Sequence, residues 1–101
     1  GPAELPAAML STLLRAAEPN PFRGQTAWRL HLADSGPVRA AIFDLQGRER
    51  RILVRDFLGA GSHELRWDGR DQAGARAASG LYFLRVETGA GALSGRVVLL
   101  P

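Results

Sequence analysis

The chain has 101 residues, which is the length of one domain and enough to bury a single hydrophobic core without covalent staples. Its apolar share of 46% and charged share of 23% are those of an ordinary globular domain, and no run of 18 apolar residues predicts a membrane span. Because cysteine is absent, a disulfide framework, a thiol nucleophile and a cysteine metal site are excluded.

The net charge of +3 includes 13 basic residues, all of them arginine. They are scattered along the chain, and their one cluster, at 48–51, is interrupted by Glu49. A nucleic-acid-binding protein concentrates its basic residues in a patch or stripe. The charge pattern therefore predicts no nucleic-acid partner, and the exclusive use of arginine is more typical of a composition bias of the genome.

The first 18 residues differ from the rest of the chain. Gly1 and Pro2 are typical of the scar of a cleaved affinity tag. Residues 4–17 have leucines at near-helical spacing, which favours a leader helix, but 11–15 fits a first edge strand equally well. Proline disfavours helix in the residue before it, so Pro19 and Pro21 end either element. We divide the chain into a scar with a leader or linker at 1–18 and a domain at 19–101.

From residue 26 onwards, short apolar runs alternate with turn signals at intervals of about ten residues, which is typical of an all-β sandwich or barrel. In 26–32, Trp28, Leu30 and Leu32 share one face, which predicts a half-buried strand. The same alternation predicts further strands at Val38, Ala40 and Ile42, at Leu65 and Trp67, at Tyr82, Leu84 and Val86, and at Val97 and Leu99. Residues 52–54 lie between arginines and predict an edge strand.

The stretch 67–74, WDGRDQAG, has the residue types of a ligand loop. A calcium loop needs oxygen ligands at alternate positions, but Arg70 and Gln72 follow Asp68 at that spacing. A phosphate loop needs a lysine, and the chain has none. Asp68 can instead bond nearby amides, and Gly69 and Gly74 can adopt positive φ. The stretch therefore predicts a turn, with no metal and no cofactor.

The two histidines, His31 and His63, do not indicate catalysis. His63 shares a strand face with Leu65 and Trp67, so we expect it at the edge of the interior, and we expect His31 to point to solvent. A nucleophilic triad needs a serine beside one of them. The serines at 35, 79 and 94 lie in or near turns, without the pattern of a nucleophile elbow.

Aromatic residues at strand period are usually core, but three of them fall off the apolar stripes. These are Phe43, Phe57 and Phe83. They leave open a carbohydrate-binding platform as an alternative to a purely structural role.

An ordered series of motifs from residue 13 to 101 resembles a known family. In chain order, its residues are Pro19, Asn20, Pro21 and Phe22, then Gly47, then Trp67, Asp68, Gly69 and Gly74, then Gly80 and Tyr82, and a final strand with Val97, Val98, Leu99 and Leu100. The series resembles the C-terminal sorting domain of type IX secretion cargo, which is itself similar to the Ig-like domain of the flagellar hook-capping protein.

The resemblance implies an Ig-like antiparallel β-sandwich of about seven strands, in which the motif residues form structural turns and core. It implies a monomeric module without catalytic activity or cofactor, at the end of a larger exported protein. Its partners would be the outer-membrane translocon, shuttle proteins and a sortase-like surface protease that cuts in the linker near or upstream of 5–18. The route would run through the periplasm of a Gram-negative-type bacterium to the medium or the cell surface.

In this family the last strand is important for recognition, which here corresponds to Arg96, Val97, Val98, Leu99 and Leu100. The sequence departs from the family in one respect, since many members end in a lysine-rich tail and this chain ends in Leu99-Leu100-Pro101. Two alternatives stay open, a structural interaction module like the hook-cap scaffold and a carbohydrate-binding accessory domain.

Overall fold

A computed structural model describes residues 11–101. These residues form seven strands and no helix: β1 (Leu13–Leu14), β2 (Thr26–Leu32), β3 (Gly36–Phe43), β4 (Glu49–Leu58), β5 (Gly61–Trp67), β6 (Gly80–Thr88) and β7 (Gly91–Leu99). Two antiparallel sheets pack face to face, one in the order β1-β2-β5 and the other in the order β4-β3-β6-β7. The predicted all-β, Ig-like sandwich of about seven strands is confirmed.

The strands form where the sequence alternates, because each strand buries one face in the space between the sheets. Along β2 the core-facing residues Trp28, Leu30 and Leu32 are buried, while Arg29 is exposed and pairs across the sheet with Glu64 on β5. Strands β6 and β7 repeat the pattern over nine paired positions. The core is therefore a single layer of side chains contributed by both sheets.

The described part of the leader, residues 11–18, contains a two-residue strand. Leu13 and Leu14 form β1, which pairs antiparallel with β2 through His31 and Leu30. This result favours the edge strand over the leader helix for residues 11–15, whereas the tag scar and the rest of the possible helix lie outside the described residues. Residues 52–54 lie in β4, an edge strand of the four-stranded sheet, as predicted. Within 11–101, no helix has the length and apolarity to cross a membrane.

Candidate recognition surface at the last strand

The loop at 67–74 is a pair of aspartate-centred turns. The Asp68 carboxylate accepts the amide of Arg70 at 3.0 Å, and the Asp71 carboxylate accepts the amides of Ala73 and Ala75, both at 3.0 Å. These side-chain bonds replace backbone partners that the turn cannot supply. The prediction of a turn is confirmed, and Asp71 contributes as much to it as Asp68.

The loop also docks on the edge of β4. Gln72 bonds to the backbone groups at this edge as the residue of a neighbouring strand would. Its amide donates to the Arg50 carbonyl at 2.8 Å, and its side-chain oxygen accepts the Ile52 amide at 2.9 Å. The Arg51 guanidinium donates to the Asp71 carbonyl at 3.2 Å. Sequence reasoning missed this contact, because the pairing joins residues about twenty positions apart. Within 11–101, no group of three or more potential ligands could hold a metal ion.

The two histidines have structural contacts. His63 is half-buried, as expected, and its Nε2 lies 2.6 Å from the Gly59 carbonyl oxygen. His31 lies on the outward face of β2, between the buried Leu30 and Leu32, as expected, and it is half-buried there. Leu13 of β1 lies directly opposite His31. The Nδ1 atom of His31 is 3.5 Å from Ser62 Oγ. The short strand β1, which sequence reasoning left open, covers this part of β2.

The last strand presents only some of its residues to a partner. Val97 and Leu99 are 0% and 1% exposed and belong to the core, because they face the other sheet. Arg96 and Val98 are exposed on the opposite face of the strand, and Leu100 follows it, half-buried. Of the five predicted recognition residues, Arg96, Val98 and Leu100 therefore remain accessible to solvent, while Val97 and Leu99 hold the strand in place.

The edge of the last strand is partly closed by residues 19–22, which we call the proline clasp. The Phe22 amide donates to the Val98 carbonyl at 3.0 Å, and the Leu100 amide donates to the Phe22 carbonyl at 2.8 Å. The Asn20 side chain accepts the Val98 amide at 3.0 Å. The chain thus passes from the edge of one sheet, at β1, to the edge of the other. Sequence reasoning assigned Asn20 to the motif but could not identify its partner 78 residues away.

Buried aromatic rings anchor the clasp and the loop to the core. Phe22 is 2% exposed, and its ring centroid lies 5.5 Å from that of Trp67. Trp67 also packs edge-on against Tyr82 at 4.9 Å, and its indole N–H donates to the Arg70 carbonyl at 2.9 Å. The Tyr82 hydroxyl donates to the carbonyl of Ala78 at 2.6 Å, which is the tyrosine corner of Ig-like sandwiches.

The motif glycines adopt conformations that other residues rarely adopt. Gly47, Gly74 and Gly80 have φ of 81°, 88° and 146°. Gly69 has φ of 74°, and a Cβ there would also lie 3.3 Å from a methyl group of Leu99. The glycine at this position therefore lets the loop approach the end of the last strand.

Asp44 is a buried charged residue whose carboxylate has several hydrogen-bond partners. It is 9% exposed, and its carboxylate accepts the amides of Gln46 and Arg48 at 3.0 Å and the Arg48 guanidinium at 2.9 Å. Desolvation raises the pKa of Asp44, but the hydrogen bonds and the charge of Arg48 outweigh it, so that the pKa lies below its usual value. Burial raises the pKa of Tyr82. The carboxylate therefore stays ionised and holds the β3–β4 turn.

Fold, tyrosine corner and clasp together define an Ig-like β-sandwich module. The chain belongs to the FlgD Ig-like domain family, which matches residues 21–92. No curated protein sequence shows significant similarity to it.

Several solved structures share the fold. Dimeric latent PorU from Porphyromonas gingivalis has a TM-score of 0.63 at 18% identity over 89% of this chain. PorZ, a surface component of the type IX secretion system of the same bacterium, has a TM-score of 0.53 at 21% identity over 90% of this chain. FlgD from Xanthomonas campestris, which takes part in hook capping, has a TM-score of 0.59 at 24% identity over 91% of this chain.

The three structures differ in how much of their own length the match covers. The chain spans 9% of PorU and 12% of PorZ, but 70% of the FlgD chain. At these identities the similarity concerns the fold.

Proposed function

We propose that this domain is a non-catalytic C-terminal secretion and surface-sorting module of a larger exported bacterial protein, recognised by the type IX translocon. The observation that carries the proposal is the last strand, which lies at a sheet edge with Arg96 and Val98 exposed. The likeness to PorZ, a component of that secretion system, supports it.

The architecture suits a sorting signal that must be recognised whatever cargo protein it is attached to. Val97 and Leu99 fix the last strand in the core, so the exposed residues of that strand keep a defined position once the domain has folded. The translocon and its shuttle proteins would read this strand, and a sortase-like protease would cut in the linker before the clasp. The mature cargo would then reach the medium or the cell surface by way of the periplasm.

The test is a secretion assay in a host with a type IX system. Residues 3–101 are fused to the C-terminus of a periplasmic reporter and compared with the reporter alone and with a fusion that ends at Gly95. We expect surface delivery only with the intact domain. Because the truncation also removes core residues, protease resistance of each fusion must be measured. A folded, intact fusion that stays in the periplasm contradicts the proposal for that host.

Membership of the FlgD Ig-like family supports a second candidate, a structural interaction module of the hook-cap type. This function predicts an assembly domain upstream in the parent protein and no cleavage of the Ig-like domain. Mass spectrometry of the mature parent protein distinguishes the two, since only a sorting domain is removed after export.

A further inference from the structure

We propose that the recognition surface is the outer face of the four-stranded sheet beside the last strand, rather than the backbone edge of that strand, and that it fits an apolar protein surface carrying carboxylates. The identity of the partner as the export machinery rests on the proposed function. The chemistry of the surface is independent of the proposed function, because it follows from the burial, strand register and charge of the residues.

Several apolar side chains occupy outward positions on this sheet. Phe57, 66% exposed, lies opposite Pro37 at the end of β3 that is away from Phe43. We call five of the others the apolar outer face: Phe43, Ile52, Leu81, Phe83 and Val98. Phe43 and Phe83 lie directly opposite each other on β3 and β6, and Leu81 lies opposite Val98. None of the five belongs to the core cluster or packs against it.

The burial of Ala41 shows that side chains on the outer face pack over the sheet. Ala41 lies between Ala40 and Ile42, which both belong to the core, so its side chain faces outward. It is nevertheless 0% exposed and lies outside the core cluster. Larger neighbours on the outer face must therefore cover it, and the residues directly opposite it are Ile52 on β4 and Arg85 on β6.

The other sheet lacks such a layer. The outward positions of β2 and β5 hold Arg29 opposite Glu64 and Ala27 opposite Arg66. A sheet that faces water on one side normally carries polar residues there. The four-stranded sheet departs from this pattern around Phe43 and Phe83. Val98 is 38% exposed there and the other four side chains of the apolar outer face are half-buried. Apolar side chains that remain accessible together in this way are typical of an interaction site.

Charge indicates the chemistry of the partner. Arg39 pairs with Glu49 on this face, and Arg85 pairs with Glu87 at 3.2 Å. Within 11–101, Arg96 makes no ion pair, and it lies directly opposite Phe83. The layer is therefore flanked by an unneutralised cation, which a carboxylate on an apolar partner surface complements.

The backbone edge is the weaker candidate because the proline clasp already occupies its C-terminal part, at Val98 and Leu100. Both backbone groups of Val98 and the amide of Leu100 are bonded to Asn20 or Phe22. A strand that added at this end would have to displace Phe22, which is 2% exposed in the core. The outer face requires no such rearrangement, so a partner can bind it while the domain stays folded.

The first experiment uses anilinonaphthalene sulfonate as a small apolar anion, with neutral N-phenylnaphthylamine as its control. Binding to the folded domain is followed by amide NMR shifts. We expect shifts at Phe83, Arg96 and Val98, and weaker shifts with the neutral probe. Arg96→Glu should weaken anion binding by about fivefold or more. Arg15→Glu is the matched control, since Arg15 also has no ion pair within 11–101.

The second experiment repeats the secretion assay with point variants. Val98→Ser and Leu13→Ser are matched, because these side chains are 38% and 39% exposed on different sheets. We expect Val98→Ser to reduce surface delivery by about fivefold or more and Leu13→Ser to leave it unchanged. Asn20→Ala frees the Val98 amide, so it should increase delivery only if the backbone edge is recognised.

The outcomes separate the two proposals. If the wild-type fusion is delivered and Val98→Ser behaves like Leu13→Ser, or if Asn20→Ala increases delivery, the outer-face proposal is wrong while sorting stands. If the wild-type fusion is not delivered, the proposed sorting function is wrong. The outer-face proposal is then tested by the probe-binding experiment alone. Probe shifts elsewhere on the domain, or equal effects of Arg96→Glu and Arg15→Glu, overturn the outer-face proposal.

Discussion

Gly95 on β7 offers the sharpest test of how closely the two sheets pack. A Cβ at this position would lie 2.8 Å from Trp28 Nε1, 3.2 Å from Trp28 Cδ1 and 3.4 Å from a methyl group of Leu14. Trp28 is 1% exposed, so its ring cannot move aside without disturbing the core. The Gly95→Ala variant should therefore overpack the sandwich.

The expected effect is the difference between two terms. Overpacking of a well-filled core costs roughly 1–3 kcal/mol. Replacing glycine by alanine also restricts the unfolded chain, which stabilises by about 0.4–1 kcal/mol. We expect Gly95→Ala to lower the free energy of unfolding by roughly 1–2 kcal/mol, or several degrees in melting temperature for a domain of this size.

The measurement is urea denaturation followed by tryptophan fluorescence. Gly36→Ala is the control, because no atom lies within 4 Å of a Cβ at Gly36 and its φ is not positive. It should be neutral or slightly stabilising. The Trp28→Phe background removes the nearest atom, so Gly95→Ala should cost less there. A Gly95→Ala midpoint at or above that of Gly36→Ala would refute the close approach of the sheets.

Three further changes test the core and the turns. Trp67→Ala should lower the free energy of unfolding by about 3–5 kcal/mol because the ring is buried, and an unchanged denaturant midpoint would contradict its place in the core. Tyr82→Phe removes the bond to the Ala78 carbonyl and should cost about 1 kcal/mol by thermal unfolding, whereas no change would mean that the corner contributes nothing. Because the pKa of Asp44 is lowered in the folded state, ionised Asp44 stabilises the fold. This contribution to the free energy of unfolding is fully present above the unfolded pKa and is lost as the pH falls through the folded pKa. The stability difference between wild type and Asp44→Asn should therefore shrink in acid, and a pH-independent difference would argue against an ionised Asp44.

Much of the architecture could be predicted from local patterns. The period-2 alternation identified the core faces of β2, β5, β6 and β7, because a strand turns successive side chains to opposite sides. The glycines identified the turns because they adopt positive φ, and the aspartates did so because their carboxylates accept nearby backbone amides. The secondary structure of residues 11–15 could not be predicted. A strand of two residues is too short to show a period-2 pattern, whereas the leucines of this segment have near-helical spacing.

By itself, the sequence determined the class of fold, the core stripes and the turn at 67–74, because these depend on residues that are close in the chain. Only the tertiary structure decided what the last strand can offer to a partner. Asn20 and Phe22 close part of its edge, and the register of β3, β6 and β7 assembles the apolar outer face around Phe43 and Phe83. The physical reason is that pairing between distant strands depends on the packing of the whole sandwich, which no local pattern encodes.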